Sequence, residues 1–455
     1  MLPVLQLITA CSYTNGFFEK TGGSGANAGD GAGGAGADIT APVVGTNISF
    51  SGVTDTQVTV NWGAASDDVS APTALQYRLL KSTANNLDTI TNAETNGNEV
   101  MPYTANTTTF TAAGLSPCVT YYFAVIVRDA AGNKALYTQQ SSTTAPTVSC
   151  VSTLAGSTSG NADGTGPGAR FNNPSGITEL AGMLYVSDYT NDAIRQLNPT
   201  TGSVTTWVPG ITMPEHLIAS GSDIFVAGNH CIRKITSGPS MSPFAGSCGT
   251  SGYSNATGTS ALFSGPVGIV SMGGNFYVGD SANHVIRKID SSAVVTTYAG
   301  TGSSGNTNGL NLSAQFYLPH GLAAVGSDLY VADWYNHCIR KITTSNTSTL
   351  AGSCGTSGVA NGTGSSARFR YPRALTTDGS NLYVADEGNH CIRKLVIASA
   401  EVTTIAGSCG NTNYGTADGH GPDARFNAPG ALLLYGGVLY VADTQNHRIR
   451  KIVLP

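Results

Sequence analysis

The sequence predicts an all-β chain in which a sandwich of about seven strands precedes a closed array of six repeated units. Three observations predict it. The stretch LYVADTQNHRIRKI, beginning at Leu439, occurs six times in recognisable form. Apolar residues, 40% of the chain, fall at period two in runs of strand length. Clusters of Gly, Ser, Asn and Asp punctuate those runs as turns.

The other five copies begin at Leu184, Ile224, Phe276, Leu329 and Leu382. Each reads as an apolar strand, a polar turn and a strand of alternating character. The isoleucine of the Ile-Arg step marks the period. Ile194, Ile232, Ile286, Ile339, Ile392 and Ile449 are separated by 38, 54, 53, 53 and 57 residues. A period in this range, with several strands per unit, signals a propeller or another closed array.

At 455 residues the chain is long enough for two or three domains. Charged residues are only 11% and the net charge is −5, but the apolar content excludes a disordered chain. Of the 22 Lys and Arg residues, 11 belong to the repeated Ile-Arg-Lys steps, so no basic run of the kind that binds nucleic acid is present. No segment reaches the ~18–20 apolar residues that span a bilayer.

The N-terminal stretch MLPVLQLITA leads to Cys11, and Ile8-Thr9-Ala10-Cys11 resembles a bacterial lipobox. That resemblance implies a lipid on Cys11 and attachment to a membrane. No Lys or Arg precedes Cys11, which puts the true start upstream of Met1 or makes the match chance. Residues 12–37 end in a tract of Gly, Ala, Ser, Asn and Asp, read as a flexible linker. The domains expected are therefore 1–37 (anchor and linker), 38–147 (sandwich) and 148–455 (repeats).

Within 38–147, Val58–Trp62, Leu75–Ser82, Thr107–Leu115 and Val119–Asp129 alternate at period two. Thr40-Ala41-Pro42, Trp62 and the run Leu115, Pro117, Val119, Tyr121, Phe123, Val125 give this segment its character. It resembles a fibronectin type III domain, which implies a two-sheet sandwich with Tyr121 as the tyrosine-corner residue. Such modules space or bind other proteins. Asp67-Asp68 reads as a solvated turn, not a metal site. In this fold the strand after Cys118 neighbours the strand before Cys150, which makes a Cys118–Cys150 bridge plausible.

From Val151 onward, other elements recur in step with the first. An Ala-Gly strand end, an Ala-Arg-Phe loop (Ala169, Ala261, Ala314, Ala367, Ala424) and a proline (Pro174, Pro266, Pro319, Pro372, Pro429) repeat in order. With the Asn-His-Cys-Ile or Asn-His-Arg-Ile step, this region resembles the NHL-repeat family. The resemblance implies a β-propeller, here of six blades. Val151–Leu154 lacks a preceding blade and Ile449–Ile452 lacks a following strand, so the two should pair and close the ring. The second copy departs from the pattern, with no long loop and a shortened turn.

Cys231, Cys338 and Cys391 follow Asn-His, and Cys248, Cys354 and Cys409 lie 16 to 18 residues on. Copies with Ala193, Val285 or Arg448 at the first position lack the second cysteine as well. This co-occurrence predicts disulfides Cys231–Cys248, Cys338–Cys354 and Cys391–Cys409. The rival readings are a metal site or free thiols. The pairs lie in different units and no C-x-x-C is present, which argues against zinc. Disulfides place the chain in an oxidising compartment, outside the cytoplasm. Only Cys11 is left over, for the lipid.

His230, His284, His337, His390 and His447 share one repeat position, as do Asp188, Asp280, Asp333, Asp386 and Asp443. Residues repeated in this way serve the unit. The Asp is expected to accept bonds from backbone two or three residues on, and the repeated arginines to pack or pair between units. The six Asn-x-Ser/Thr sequons are expected by chance in so Asn- and Ser-rich a chain.

Function is expected where the copies differ. The residues after the loop proline are Ser175, Glu215, Val267, His320, Arg373 and Gly430, and they should face one mouth of a central channel. Glu215, His320 and Arg373, with His216 adjacent and Ser175 beside them, form the candidate ligand site for a protein, glycan or small ligand. The competing reading is a solvated channel mouth. Some propellers are enzymes; a peptide-amidating lyase holds zinc on several channel histidines, of which only Pro319-His320 has a match here. One histidine cannot build that site. No catalytic residue, metal or cofactor is assigned, and a nucleic-acid partner is not expected. The reading is a lipid-anchored extracytoplasmic binding protein; the alternative is a channel-mouth lyase or hydrolase.

Overall fold

In the computed structural model, residues 37–455 are described apart from 117, 146–147 and 411. The lipobox-like start, Cys11 and nearly all of the linker lie outside the described residues. The architecture is all-β, with every sheet built by antiparallel pairing.

The first unit has two sheets. Ser49–Ser51, Gln57–Asn61 and Thr109–Ala113 form one; Asn98–Ala105, Gln76–Ser82 and Thr120–Arg128 lead the other, with Lys134–Leu136 and Gln140–Thr143 both on Thr120–Arg128. The alternation read from sequence points Val58, Val60, Tyr77, Leu79, Phe123, Val125 and Val127 into one core with Trp62. Truncating a fully buried ring such as Phe123 to Ala would cost about 3–5 kcal/mol. The Tyr121 hydroxyl accepts the Ser116 N–H at 3.0 Å, the corner its sequence position implied. A helix, Ile90–Asn96, was not anticipated. The Thr89 side chain caps it by accepting the Asn92 N–H, and Ala93 packs under it against Leu80 and Leu87.

The repeats form six sheets. Their first strands are Pro174–Leu180, Leu217–Ser220, Pro266–Met272, Pro319–Val325, Pro372–Thr377 and Pro429–Tyr435. Each packs beside the next, and the last packs beside the first. Cys150–Gly156 pairs with Arg448–Val453 in the register Val151 to Ile452 and Ala155 to Ile449.

The repeated polar residues divide their work differently from the sequence expectation. Arg340, fully buried, donates to Asp333 at 2.8 Å, to the Gln315 and Thr307 carbonyls and to Asn308 Oδ1, and lies over the Phe316 ring. Arg195, Arg287, Arg393 and Arg450 repeat the arrangement. The arginines therefore pair within a repeat, because the Ala-Arg-Phe loop folds back over its own sheet. For the same reason the Asp accepts from a backbone N–H far behind it: Asp333 Oδ1 takes Tyr317 N–H at 2.8 Å, and the side chain of Asn336 bonds its other oxygen.

One set of links between sheets comes from the histidines. His230, His284, His337, His390 and His447 each accept, through Nδ1, a backbone N–H of the following sheet: Gly265, Leu318, Tyr371, Ala428 and Asn173. The first copy has Asp192 at this position, and its carboxylate accepts Met213 N–H at 2.9 Å in the same way. Four disulfides, Cys118–Cys150, Cys231–Cys248, Cys338–Cys354 and Cys391–Cys409, complete the frame.

Candidate functional site

The residues after the loop prolines gather where the first strands meet. Arg373 is at the centre. Its Nη2 donates to Glu215 Oε2 at 3.0 Å and its Nη1 to Glu387 Oε1 at 3.3 Å. Glu387 Oε2 accepts the Trp334 indole N–H at 2.8 Å. The His320 ring stacks on Trp334 with centroids 4.8 Å apart. Three different repeats thus supply one continuous polar chain. His216 Nε2 lies 3.2 Å from the Gly430 carbonyl, fixing its ring against a fourth.

Electrostatics follow from burial. Removal from water pushes the Glu215 carboxyl up, with Arg373 opposing and Glu387 reinforcing the shift. The same cause brings His216 down to about 4, and Arg373 adds to it. His320 is held well below the ordinary histidine range by burial, then by Arg373 and His216. Both imidazoles are therefore neutral at pH 7. Burial pulls on Arg373 in the deprotonating direction, but Glu387 and Glu215 overcome it and keep the guanidinium charged.

Three side-chain atoms here are buried with no hydrogen-bond partner among the described residues: Arg373 Nε, His320 Nδ1 and Asn173 Oδ1. Beside Arg373, a cavity of about 220 Å³ is lined by Asn173, Ser175, Tyr189, Glu215, Arg373, Thr444 and Gln445. A second, of about 110 Å³, shares Tyr189 and Glu215. Hydroxyls, amides and a charged pair in a space this small suit a small polar group. A larger cavity, about 630 Å³, lies at the Cys118–Cys150 junction, where Thr120 and Thr143 face His420 and Lys451. Asp418 also lines it.

Residues 41–144 match the model of the Fibronectin type III domain. Residues 316–342 match the NHL repeat. NHL repeat-containing protein 2 of Homo sapiens is 29% identical over 318 residues, covering 65% of this chain and 41% of that protein. Teneurin-3 of Danio rerio is 27% identical over 304 residues, covering 60% of this chain and 10% of that one. The chain thus spans less than half the length of these curated relatives. Among solved structures, an auxiliary nutrient binding protein from Bacteroides ovatus aligns with a TM-score of 0.58 at 16% identity, over 91% of this chain and 98% of that one. A protein of unknown function from Bacteroides thetaiotaomicron aligns at 0.57 and 19% identity, over 90% and 98%. At these identities the likeness is one of fold.

Glu215, His216, His320 and Arg373 come together where the first strands of the repeats meet. Ser175 is different. It is 2% exposed and its hydroxyl donates to the Pro214 carbonyl at 2.8 Å. Ser281 and Thr444 do the same to Pro319 and Pro174, so this hydroxyl ties neighbouring sheets. Sequence reasoning missed Tyr189, Trp334 and Glu387. All three directly follow the repeated Asp, a position that differs between copies as much as the post-proline position does. That variability was the available signal.

Proposed function

We propose that the chain is an extracytoplasmic binding protein whose repeats close into a six-bladed propeller, with the ligand held at the channel mouth around Arg373. The pairing of Cys150–Gly156 with Arg448–Val453 and the His447–Asn173 link support closure. Four disulfides support an oxidising compartment. Among the described residues no helix is long and apolar enough to cross a membrane, and attachment through lipid on Cys11 remains the proposed anchor. The fibronectin type III-like unit, bounded near 38–147, then stands between anchor and propeller. A binding role agrees with the description of one fold neighbour as an auxiliary nutrient binding protein.

The observation that carries the reading is the Glu215–Arg373–Glu387 chain beside unpartnered Arg373 Nε and His320 Nδ1. Buried polar atoms left without partners are costly, and a ligand acceptor in the cavity would satisfy Arg373 Nε. The ligand is a small polar molecule, or the polar tip of a glycan or peptide. The test is a thermal-shift screen of the full chain against monosaccharides, amino acids and hydroxy acids. The comparison protein carries Glu215→Gln, Arg373→Met and Glu387→Gln together, which removes the charges without stranding any. A compound that raises the midpoint of the wild type and not of the triple variant supports the site. Compounds acting equally on both, or none acting at millimolar concentration, would overturn it.

A further inference from the structure

The sandwich carries a second convergence of charged groups, far in sequence from the channel mouth. Asp38 precedes the first strand, Asp67 lies in the turn after Gln57–Asn61, and Asp129 follows Thr120–Arg128. The fold brings one carboxylate oxygen from each to within 4.8 Å of the others. From sequence the eye falls on the adjacent pair Asp67-Asp68, and reads it as solvated. The partners that matter are instead distant in the chain.

Each carboxylate is oriented by its neighbours. Asp129 is 3% exposed, its Oδ1 accepting the Gly132 and Asn133 N–H groups and its Oδ2 the Asn133 side chain. Asp67 Oδ2 accepts the Val69 and Ser70 N–H groups, and Asp38 Oδ1 accepts from Thr40. Asn133 also donates to the Asp38 carbonyl at 3.1 Å, drawing that segment in. These bonds leave Asp67 Oδ1 and Asp38 Oδ2 sealed from solvent and without any hydrogen-bond donor among the described residues. None of the ion pairs found among the described residues joins a Lys or Arg to any of the three. Three carboxyl groups this close, two of them with a buried oxygen that lacks a donor, offer oxygens that a cation between them would satisfy.

We infer that Asp38, Asp67 and Asp129 bind a divalent cation, specifically Ca²⁺. Carboxylate oxygens are hard ligands, and Ca²⁺ takes them at about 2.3–2.6 Å in flexible geometry. Two ligands on such a sphere are at most about 5 Å apart, which accommodates the observed cluster. The ion clips the segment entering the sandwich to two of its turns, so its effect is on the order of that domain's entry and is independent of the channel mouth. A site of three carboxylates belongs with extracellular modules, whose dissociation constants are roughly 10⁻⁴–10⁻³ M.

The full chain, freed of metal with chelator, is titrated with CaCl₂ by calorimetry, and its thermal unfolding is followed with and without the salt. One ion per chain, in that affinity range, and a midpoint raised by several degrees are expected. Asp67→Asn retains an amide oxygen for the Val69 and Ser70 bonds, and Asp38→Asn leaves the core untouched. Each should weaken Ca²⁺ at least tenfold while the metal-free midpoint stays within a degree or two of wild type. No binding at 10 mM CaCl₂, wild-type affinity in both variants, or equal affinity for MgCl₂ would overturn the assignment.

Discussion

Replacing Arg340 with Met and, separately, Arg233 with Met should give very different results, although the two arginines occupy the same repeat position. Arg340→Met leaves the Asp333 carboxylate fully buried beside Asn336 and the Tyr317 N–H with no cation. It also strips donors from the Gln315 and Thr307 carbonyls and from Asn308. Breaking a buried pair from one side costs about 3–5 kcal/mol. At roughly 2–4 °C per kcal/mol for a domain of this size, the midpoint falls by about 6–20 °C. The second repeat has Gly228 where the Asp should be and lacks the covering loop. Among the described residues Arg233 donates only to the Gly228 and Thr212 carbonyls, at 3.3 and 3.4 Å. Burial works against its charge, with Asp192 only partly compensating. Met in its place strands no carboxylate and should cost less than about 1 kcal/mol. Calorimetric unfolding of both variants, disulfides intact, reads the difference. Equal losses would refute the argument that the Asp, rather than the arginine's packing, sets the cost.

Three further outcomes follow from the same structure. His216 is held near 4 in the folded chain and is near 6.5 when unfolded, so its neutral form contributes stability above pH 6.5 that is lost as pH falls toward 4. Burial-raised Glu215 acts in the opposite sense, so the comparison is with His216→Asn, which should lose up to about 2.5 kcal/mol less than wild type between pH 7 and pH 4.5 in urea unfolding. Replacing Cys391 and Cys409 together with Ser opens a loop of sequence separation 18 and should lower stability by about 3 kcal/mol, read from the urea midpoint at constant slope. Gly268→Ala puts a Cβ into the His320 carbonyl, displacing the strand that presents that ring; a loss of about 1–3 kcal/mol is expected in thermal unfolding.

Much of the fold was legible because repetition averages out local ambiguity. Six statements of one strand-turn-strand phrase fixed the units, and co-occurring cysteines identified their own partners. The sandwich was legible through alternation and Tyr121, but the helix Ile90–Asn96 was not, since its length is too short for helical period to stand out and only Thr89 signals its start. The roles of the repeated polar residues differ from the sequence expectation in two respects, the partner of the arginine and the donor to the Asp. Sequence shows that Arg340 and Asp333 recur together, but not that the loop before them folds back, which is what makes the pair internal and leaves the histidines to join the sheets. In the cluster around Arg373, Glu215, His320 and Arg373 were visible as departures from the repeat. Glu387 and Trp334, equally divergent, sit in a turn whose neighbours are so regular that the differences were passed over. The Asp38, Asp67 and Asp129 cluster could not be read at all, because only the tertiary fold brings those segments together.

The most direct test of the channel-mouth account is calorimetric titration of the full chain with whichever screened compound most raises its melting temperature. Wild type and the Glu215→Gln, Arg373→Met, Glu387→Gln protein are compared at pH 7. One site per chain is expected in the wild type and at least tenfold weaker binding in the variant, with both proteins folded. The same affinity in both would contradict it.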